Sequence, residues 1–266
     1  LKLQRPADII LLIVLTCVVE ILANTKCSST TSTIPKYHLI EKCHQSKLSI
    51  AARANYSSLT SCKRLGIEKR ALALNFSPHN ANRSKPLLYS CEALKCAEAE
   101  GGLSLNNDTR YDYYSIYANP LPNINSTCVP AAGMFVILPK KFNYTESQKH
   151  CKNISAVLAD ITDEHRTDAL AQALATASAE AAYVGMTRNS NRNFISESGG
   201  SLDCITYRAW APGHPQRNTN MSCVILTKHH TWKTVACKDK YQVLCELIPR
   251  GPYKKGSIFS FKNLNS

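Results

Sequence analysis

The stretches Tyr183-Val184-Gly185-Met186, Trp210-Ala211-Pro212-Gly213-His214-Pro215 and Cys223-Val224-Ile225-Leu226 decide the fold of the second half of the chain. The first and third are short and apolar, as is the segment 242–247, and long segments rich in Asn, Ser and Gly separate them. Short apolar runs bounded by turn-forming residues are typical of β-strands. This half of the chain therefore predicts short strands joined by long loops.

Two helices are expected before these strands. Thr145 followed by Gln148 is typical of a capping box, and the helix that it begins contains Cys151. A second helix is expected to begin at Thr162, because two acidic residues follow it in the positive first turn. Its apolar face is formed by Ala169, Leu170, Ala173, Leu174 and Ala177. Helices followed by short strands predict an α+β fold.

The order of these motifs resembles a C-type lectin-like domain over residues 129–249. Tyr183-Val184-Gly185-Met186 stands where that family usually has Trp-Ile-Gly-Leu, and the Trp210–Pro215 stretch resembles its long loop. The remaining motifs of the series are Cys151, Leu158-Ala159-Asp160-Ile161, Cys223-Val224-Ile225-Leu226, Trp232, Cys237 and Leu244-Cys245-Glu246. The resemblance implies two disulfides, Cys151–Cys245 and Cys223–Cys237.

The long loop departs from the family pattern at the calcium ligands. Sugar-binding members usually have Glu-Pro-Asn or Gln-Pro-Asp in the long loop and Trp-Asn-Asp on the next strand, and these residues bind Ca²⁺. This chain has His214-Pro215-Gln216 and Trp232-Lys233-Thr234. Calcium needs six to eight oxygen ligands, whereas histidine offers nitrogen and lysine a positive charge. We expect that the calcium site is lost and that the protein has no metal or other cofactor.

The candidate ligand-binding residues lie in the long loop and on the strand after it. They are Tyr207, Arg208, Trp210, His214, Gln216, Arg217, Trp232 and Lys233. Aromatic rings could stack on a sugar, and the basic side chains would suit a sulfated or uronic glycan. The alternative for the two tryptophans is packing in the core.

The first segment, residues 37–128, contains five cysteines: Cys43, Cys62, Cys91, Cys96 and Cys128. A short helix near residues 58–65 followed by an apolar strand at 71–77 resembles a PAN/apple module, in which a helix is linked to a small sheet. That resemblance implies Cys43–Cys128, with Cys62 bonded to Cys91 or Cys96, and it leaves one cysteine over. Zinc binding by Cys91 and Cys96 is the alternative to a disulfide. The proline-rich stretch 119–122 marks the end of this segment.

Three features predict a secreted, extracellular glycoprotein. Residues 1–23 resemble a signal peptide, because the apolar run Ile9–Val19 is too short to span a bilayer; an uncleaved signal anchor is the alternative. Twelve cysteines indicate an oxidising compartment. Eight acceptors for N-glycosylation are present, at Asn55, Asn75, Asn82, Asn107, Asn125, Asn143, Asn153 and Asn220.

Two cysteines and the two ends of the mature chain complete the organisation. Cys27, in the polar linker 24–36, is the expected unpaired cysteine, and Cys204 is expected to bond to Cys128 or to a second molecule. A disulfide-linked oligomer is therefore one expected state. The basic tail 250–266 is either disordered or an anion-binding arm.

The net charge of +13 favours anionic partners, and in an extracellular setting these are glycans, acidic proteins or a membrane surface and not nucleic acid. No metalloprotease, nucleophile-elbow or phosphate-loop motif is present, so no enzymatic activity is expected. We predict a secreted recognition protein that binds glycans or glycoproteins without calcium and has no membrane span in the mature chain. The alternative is a disulfide-crosslinked component of an extracellular matrix or cuticle.

Overall fold

The computed structural model describes Cys27 and residues 34–78, 88–99, 102, 104–119, 121, 124–197, 199–218 and 220–249. The predicted signal peptide, most of the linker, the acceptor Asn82 and the basic tail lie outside these residues. The described part has three α-helices and fifteen strands, which confirms the α+β class. No helix within these ranges is long and apolar enough to span a membrane.

The N-terminal module contains a five-stranded antiparallel sheet, a two-stranded ribbon and one helix. The sheet has the order β1-β7-β4-β5-β3 and the ribbon pairs β2 with β6. The strands are β1 (His38–Glu41), β2 (His44–Ser46), β3 (Ile50–Ala54), β4 (Ala73–Phe76), β5 (Cys91–Leu94), β6 (Leu105–Asn107) and β7 (Asp112–Ser115). All four residues of β4 and of β5 are buried, because α1 (Leu59–Glu68) covers these central strands.

Helix α1 begins after Ser58, whose side chain accepts a hydrogen bond from the backbone N–H of Ser61. Its buried face presents Cys62 and Gly66 to the sheet. A Cβ atom on Gly66 would lie 2.5 Å from the hydroxyl of Tyr37, so only glycine allows this close approach.

The second sheet is formed by the C-terminal half of the chain and has the order β14-β13-β11-β15-β9-β8. In addition, β10 pairs with β15, and β12 with β11. The strands are β8 (Thr127–Val129), β9 (Gly133–Phe142), β10 (Ala156–Leu158), β11 (Ala181–Arg188), β12 (Phe194–Ser196), β13 (Cys223–Thr227), β14 (Trp232–Val235) and β15 (Tyr241–Leu247). The pairing of β11 with β15 is parallel and the others are antiparallel.

The N-caps of helices α2 (Tyr144–Asn153) and α3 (Glu164–Thr176) lie two residues and one residue, respectively, from the predicted positions. The capping box is formed by Asn143 and Glu146, not by Thr145 and Gln148, because the Asn143 side chain accepts from Glu146 N while Glu146 accepts from Asn143 N. The N-cap of α3 is Asp163 and not Thr162, since the Asp163 carboxylate accepts from Arg166 N at 2.8 Å.

Five disulfides link ten of the eleven described cysteines. Cys151–Cys245 joins α2 to β15, and Cys223–Cys237 joins β13 to the segment after β14, so both bridges implied by the lectin resemblance are present. The complete set is Cys27–Cys204, Cys62–Cys91, Cys96–Cys128, Cys151–Cys245 and Cys223–Cys237.

Three of the cysteine assignments made from the sequence are wrong. The expected Cys43–Cys128 bridge is absent, because Cys128 lies on β8 of the second sheet and bonds to Cys96, while Cys43 is exposed and unpaired. Cys27, expected to be the odd cysteine, bonds instead to Cys204, so Cys204 pairs neither with Cys128 nor with a second molecule.

One apolar cluster contains buried residues of both halves, and a second cluster lies within the C-terminal half. Buried residues of the N-terminal half, such as Tyr117 just after β7, belong to the same cluster as Met134 and Tyr183 of the second half. The Tyr117 hydroxyl accepts from the backbone N–H of Met134 at 2.9 Å, and Ala118 N donates to Pro249 O at 3.0 Å. The second sheet already begins at β8, so the expected division between residues 128 and 129 falls within a strand.

Candidate ligand-binding site

The long loop, residues 201–222, lies between β12 and β13, and two arginine side chains hold its backbone. Arg208 donates to three carbonyl oxygens of its own loop, at 2.6–2.7 Å; they belong to Leu202, Ile205 and Tyr207. Arg188, at the end of β11, donates to Gln216 O at 2.6 Å and to Asn218 O at 3.1 Å. These bonds give the loop one defined path across the end of the sheet.

One disulfide lies near each end of the long loop. Cys204 is the last residue of a short 3-10 turn at the start of the loop and is bonded to Cys27 of the N-terminal segment. Cys223, directly after the loop, is bonded to Cys237. The start and the end of the long loop are therefore both covalently fixed.

Trp232 is a core residue and not a sugar-stacking residue. Its side chain is fully buried, and its indole N–H donates to Thr167 Oγ1 at 3.2 Å. Tyr207 and Trp210 pack edge-on against it, each at a centroid distance of 5.4 Å. The proposed stacking role of Trp232 is wrong because β14 turns this side chain inward. Tyr207 and Trp210 are half-buried and keep only part of their rings accessible.

A polar cluster joins the loop to β14. The backbone N–H of Thr234 donates to Nδ1 of His214 at 3.0 Å, and the Thr234 hydroxyl lies 2.9 Å from the same nitrogen. Gln216 N donates to Thr234 Oγ1 at 2.9 Å. His214 is therefore a neutral imidazole that accepts at Nδ1. Burial, together with the nearby charge of Lys233, lowers the pKa of the His214 imidazole.

Two cations remain free for a ligand beside this cluster. Arg217 and Lys233 are exposed, and neither side chain forms an ion pair with another described residue. The side chain of Gln216 is also exposed. Arg208 is exposed in part, but its guanidinium is already bound to carbonyl oxygens, so it serves the loop and not a ligand.

The donors of this cluster do not suit calcium. Nδ1 of His214 and the hydroxyl of Thr234 are nitrogen and neutral oxygen, and they are already bonded to each other and to the backbone. Lys233 adds a positive charge beside them. Calcium requires several oxygen ligands, usually with carboxylates among them. Among the described residues, no three His, Cys, Asp or Glu side chains converge on a point where a metal could bind.

The asparagines predicted to be glycosylation acceptors differ in accessibility. Asn75 is fully buried in β4, and its side-chain N–H groups donate to Ser46 O and to Glu92 Oε2, so it cannot be an acceptor in the folded protein. Asn143 is half-buried at the N-cap of α2, and Asn82 lies outside the described residues. The exposed acceptors are Asn55, Asn107, Asn125, Asn153 and Asn220.

Residues 140–247 match the family model described as Lectin C-type domain. This region is a C-type lectin domain. The match covers less than half of the chain, so the N-terminal module has no family assignment and its PAN/apple resemblance stays a prediction. No curated protein matches the chain significantly.

Several solved structures align with the C-type lectin domain. Human lithostathine is 21% identical, with a TM-score of 0.39, over 43% of this chain and 90% of its own. The carbohydrate-recognition domain of the mouse scavenger receptor C-type lectin is 17% identical, with a TM-score of 0.38, over 42% and 88%. The C-type lectin CEL-I from Cucumaria echinata is 15% identical, with a TM-score of 0.39, over 44% and 90%.

Sequence reasoning missed Arg188 and the role of Thr234. Arg188 lies two residues beyond the apolar stretch that predicts β11, and no motif marks it as the residue that holds Gln216 and Asn218. Thr234 stands at an expected calcium-ligand position, which is the signal that could have directed attention to it; its partner His214 is 20 residues away in sequence.

Proposed function

We propose that the protein is a recognition protein whose C-type lectin domain binds carbohydrate or glycoprotein ligands without calcium, and that it acts by binding and not by catalysis. The observation that supports this most strongly is the family match over residues 140–247 combined with a long loop whose polar groups are bonded among themselves.

The proposed contact surface is the outer side of the His214–Thr234 cluster. Lys233 and Arg217 supply charge, the Gln216 side chain supplies an amide, and Trp210 supplies part of a ring face. Hydroxyl groups of a sugar can bind to such donors directly, and a guanidinium binds carboxylate or sulfate through two parallel hydrogen bonds. Three residues outside this surface hold its backbone and pack behind it: Arg188, Arg208 and Trp232.

The test is a glycan-binding array of the whole protein with and without EDTA. Binding to a defined set of glycans should be the same in both conditions, and millimolar Ca²⁺ should not raise the melting temperature, because a ligand stabilises only the state that it binds. A loss of array binding in EDTA, or a calcium-dependent rise of several degrees in melting temperature, would contradict the proposal.

A paired substitution locates the surface. The variant Arg217→Gln, Lys233→Gln should lose array binding, whereas the control Lys36→Gln, Lys42→Gln, with two exposed lysines of the N-terminal half, should keep it. Equal loss in both variants would show that binding follows net charge and not this surface.

We further propose that the protein is secreted and glycosylated, and that the N-terminal module is a PAN/apple-like binding unit. Five disulfides support an oxidising compartment. The link between α1 and β5 through Cys62–Cys91 supports the PAN/apple resemblance, while the missing Cys43–Cys128 bridge departs from it.

A structural component of a matrix or cuticle is the second candidate function, and the exposed, unpaired Cys43 favours it. A crosslinked component should migrate as disulfide-linked multimers on a non-reducing gel, and Cys43→Ser should return it to the monomer. A monomer in the unaltered protein would argue against this candidate.

A further inference from the structure

Five exposed lysines lie on three segments of the C-type lectin domain that contact one another. We call this the lysine surface; it consists of Lys140 and Lys141 on β9, Lys149 on α2, and Lys238 and Lys240 in the turn between β14 and β15. All five residues are exposed.

Defined contacts hold the three elements side by side. The rings of Phe142 and His150 lie 4.0 Å apart, which places the end of β9 against α2. Tyr241 pairs with Phe142 in the antiparallel register of β15 and β9, where partner Cα atoms lie about 4.5–5.5 Å apart. Tyr144 N donates to Cys237 O at 3.0 Å, which places the turn at the start of α2.

No lysine of this surface is neutralised by an ion pair with another described residue. The acidic side chains carried by the same segments are Glu146 and Asp239, and Glu146 accepts from the backbone N–H of Asn143 in the capping box. The five lysines of the surface therefore outnumber the two acidic side chains on the same segments. Such a concentration repels itself and produces a positive potential that attracts anionic partners.

We propose that the lysine surface binds a sulfated polysaccharide chain, at a site separate from the proposed contact surface around Lys233 and Arg217. Lys233 lies near the start of β14, whereas Lys238 and Lys240 lie beyond its other end, so the two surfaces are at opposite ends of that strand. A chain with repeated sulfates can contact lysines on three elements at once. Exposed ion pairs are weak singly, so binding requires several together.

The chemistry of the surface favours a polysaccharide over a membrane. Binding to a bilayer usually combines basic residues with apolar side chains that enter the interface. The large exposed hydrophobic residues of the described chain are Ile34, Leu39 and Leu88, and all three belong to the N-terminal half. Lysine, a point charge on a flexible stem, adapts to sulfates at varying positions and does not need one planar geometry.

The test uses heparin as the probe and the whole protein with its N-linked glycans enzymatically removed, since the predicted acceptors Asn143 and Asn153 lie close to the surface. The variant Lys140→Gln, Lys141→Gln, Lys238→Gln, Lys240→Gln should bind heparin at least about tenfold more weakly at about 0.15 M salt. It should also elute from a heparin column at lower salt.

The matched control removes the same charge elsewhere. Lys36→Gln, Lys42→Gln, Lys69→Gln, Lys95→Gln changes four exposed lysines of the N-terminal half and should retain heparin binding. Melting curves of both variants confirm folding, which these exposed positions should not disturb. An equal loss in both variants would overturn the proposal in favour of attraction by net charge, including that of the basic tail, which is present in all of these proteins.

Two further probes identify the ligand class. Chemically desulfated heparin should bind weakly, and vesicles with phosphatidylserine should not bind in a manner that depends on these lysines. Equal binding of desulfated heparin would overturn the assignment to sulfate. Vesicle binding that is lost in the lysine-surface variant but not in the control would replace the polysaccharide by a membrane.

Discussion

Arg166 and Glu246 are the most deeply buried charged side chains of the C-type lectin domain, exposed by 2% and 3%. Their ion pair joins α3 to β15. The other two nitrogens of the Arg166 guanidinium, Nε and Nη1, donate to Asp160 O and Ala132 O, both at 2.9 Å. One side chain therefore connects four segments. Because each of the three guanidinium nitrogens has a partner, this pair is tolerated in the core, where an unpaired charge would not be.

Glu246→Gln should therefore lower the free energy of unfolding by about 3–5 kcal/mol, because it leaves the Arg166 charge buried without a counter-charge. The double variant Arg166→Met, Glu246→Leu should lose less than the single one. Urea unfolding followed by circular dichroism measures both. If the single variant were as stable as the double one, the buried charge would not be the cause.

His214 should make the stability of the folded protein depend on pH, and the direction follows from its pKa. Its pKa is lowered in the folded protein, so the unfolded chain binds the proton more readily. The contribution of His214 to the stability of the fold is therefore fully present above the ordinary histidine pKa of about 6.5. It is lost as the pH falls through that value towards the lower pKa that His214 has in the folded protein. A proton on Nδ1 would also face the Thr234 N–H that now donates to it.

The expected result is that the melting temperature of the unaltered protein falls more between pH 7 and pH 5 than that of His214→Gln. Differential scanning fluorimetry of the two proteins at several pH values measures the difference. Parallel curves would contradict the assignment of His214 as a neutral acceptor.

For single residues, the sequence predicted which segment they lie on better than what their side chains contact. The long-loop residues lie where the motifs placed them, but Arg208 binds carbonyl oxygens and Trp232 lies in the core. The direction of a side chain depends on strands that are distant in sequence, which a motif does not record. Asn75 shows the same limit, since its acceptor motif lies on a strand that is buried on both faces.

At the scale of elements, the hairpin of β13 and β14 and the long pair of β9 and β15 form the frame of the C-type lectin domain. Val224 pairs with Thr234, so the hairpin sets the position of the His214–Thr234 cluster. The strands were predictable because short apolar runs are separated by clear turn segments. The N-cap was displaced by two residues in α2 and by one in α3, because polar residues close together at a helix start can each act as a cap and only the hydrogen bonds decide between them.

The two bridges of the domain should differ in their effect. Cys151–Cys245 encloses a sequence separation of 94 residues and Cys223–Cys237 one of 14. Replacing the first pair by alanine should cost about 4–5 kcal/mol and the second about 3 kcal/mol, because the longer loop restricts the unfolded chain more. Chemical unfolding of the two double variants tests the order. The reverse order would show that local packing around the sulfur atoms outweighs loop closure.

For the whole molecule, the decisive feature is the junction between the two halves. The sequence predicts two modules with a boundary near residue 128, but β8 belongs to the second sheet and Cys128 bonds to Cys96 of the first half. Buried side chains of both halves form one cluster, so the modules support each other. Contacts between segments far apart in sequence leave no local signal, and the boundary therefore could not be placed from composition.

The whole protein should accordingly unfold in one transition, and Tyr117→Phe should lower the stability of both halves together. The substitution leaves the buried Met134 N–H without an acceptor, which costs about 1–3 kcal/mol. Hydrogen exchange resolved by peptide measures the two halves separately. Destabilisation of one half alone would show that they unfold independently.

The bridge between Cys27 and Cys204 imposes an order on biosynthesis. Its partners are 177 residues apart, so at about 5–20 residues per second the ribosome needs about 10–35 s to deliver the second thiol after the first. Once the predicted signal peptide with Cys17 is removed, Cys43 is the thiol nearest to Cys27 in sequence during that interval, and a short loop closes more readily than a long one. A transient Cys27–Cys43 bond is therefore the expected early product, and its exchange for Cys204 would release Cys43 as the thiol that the finished protein exposes.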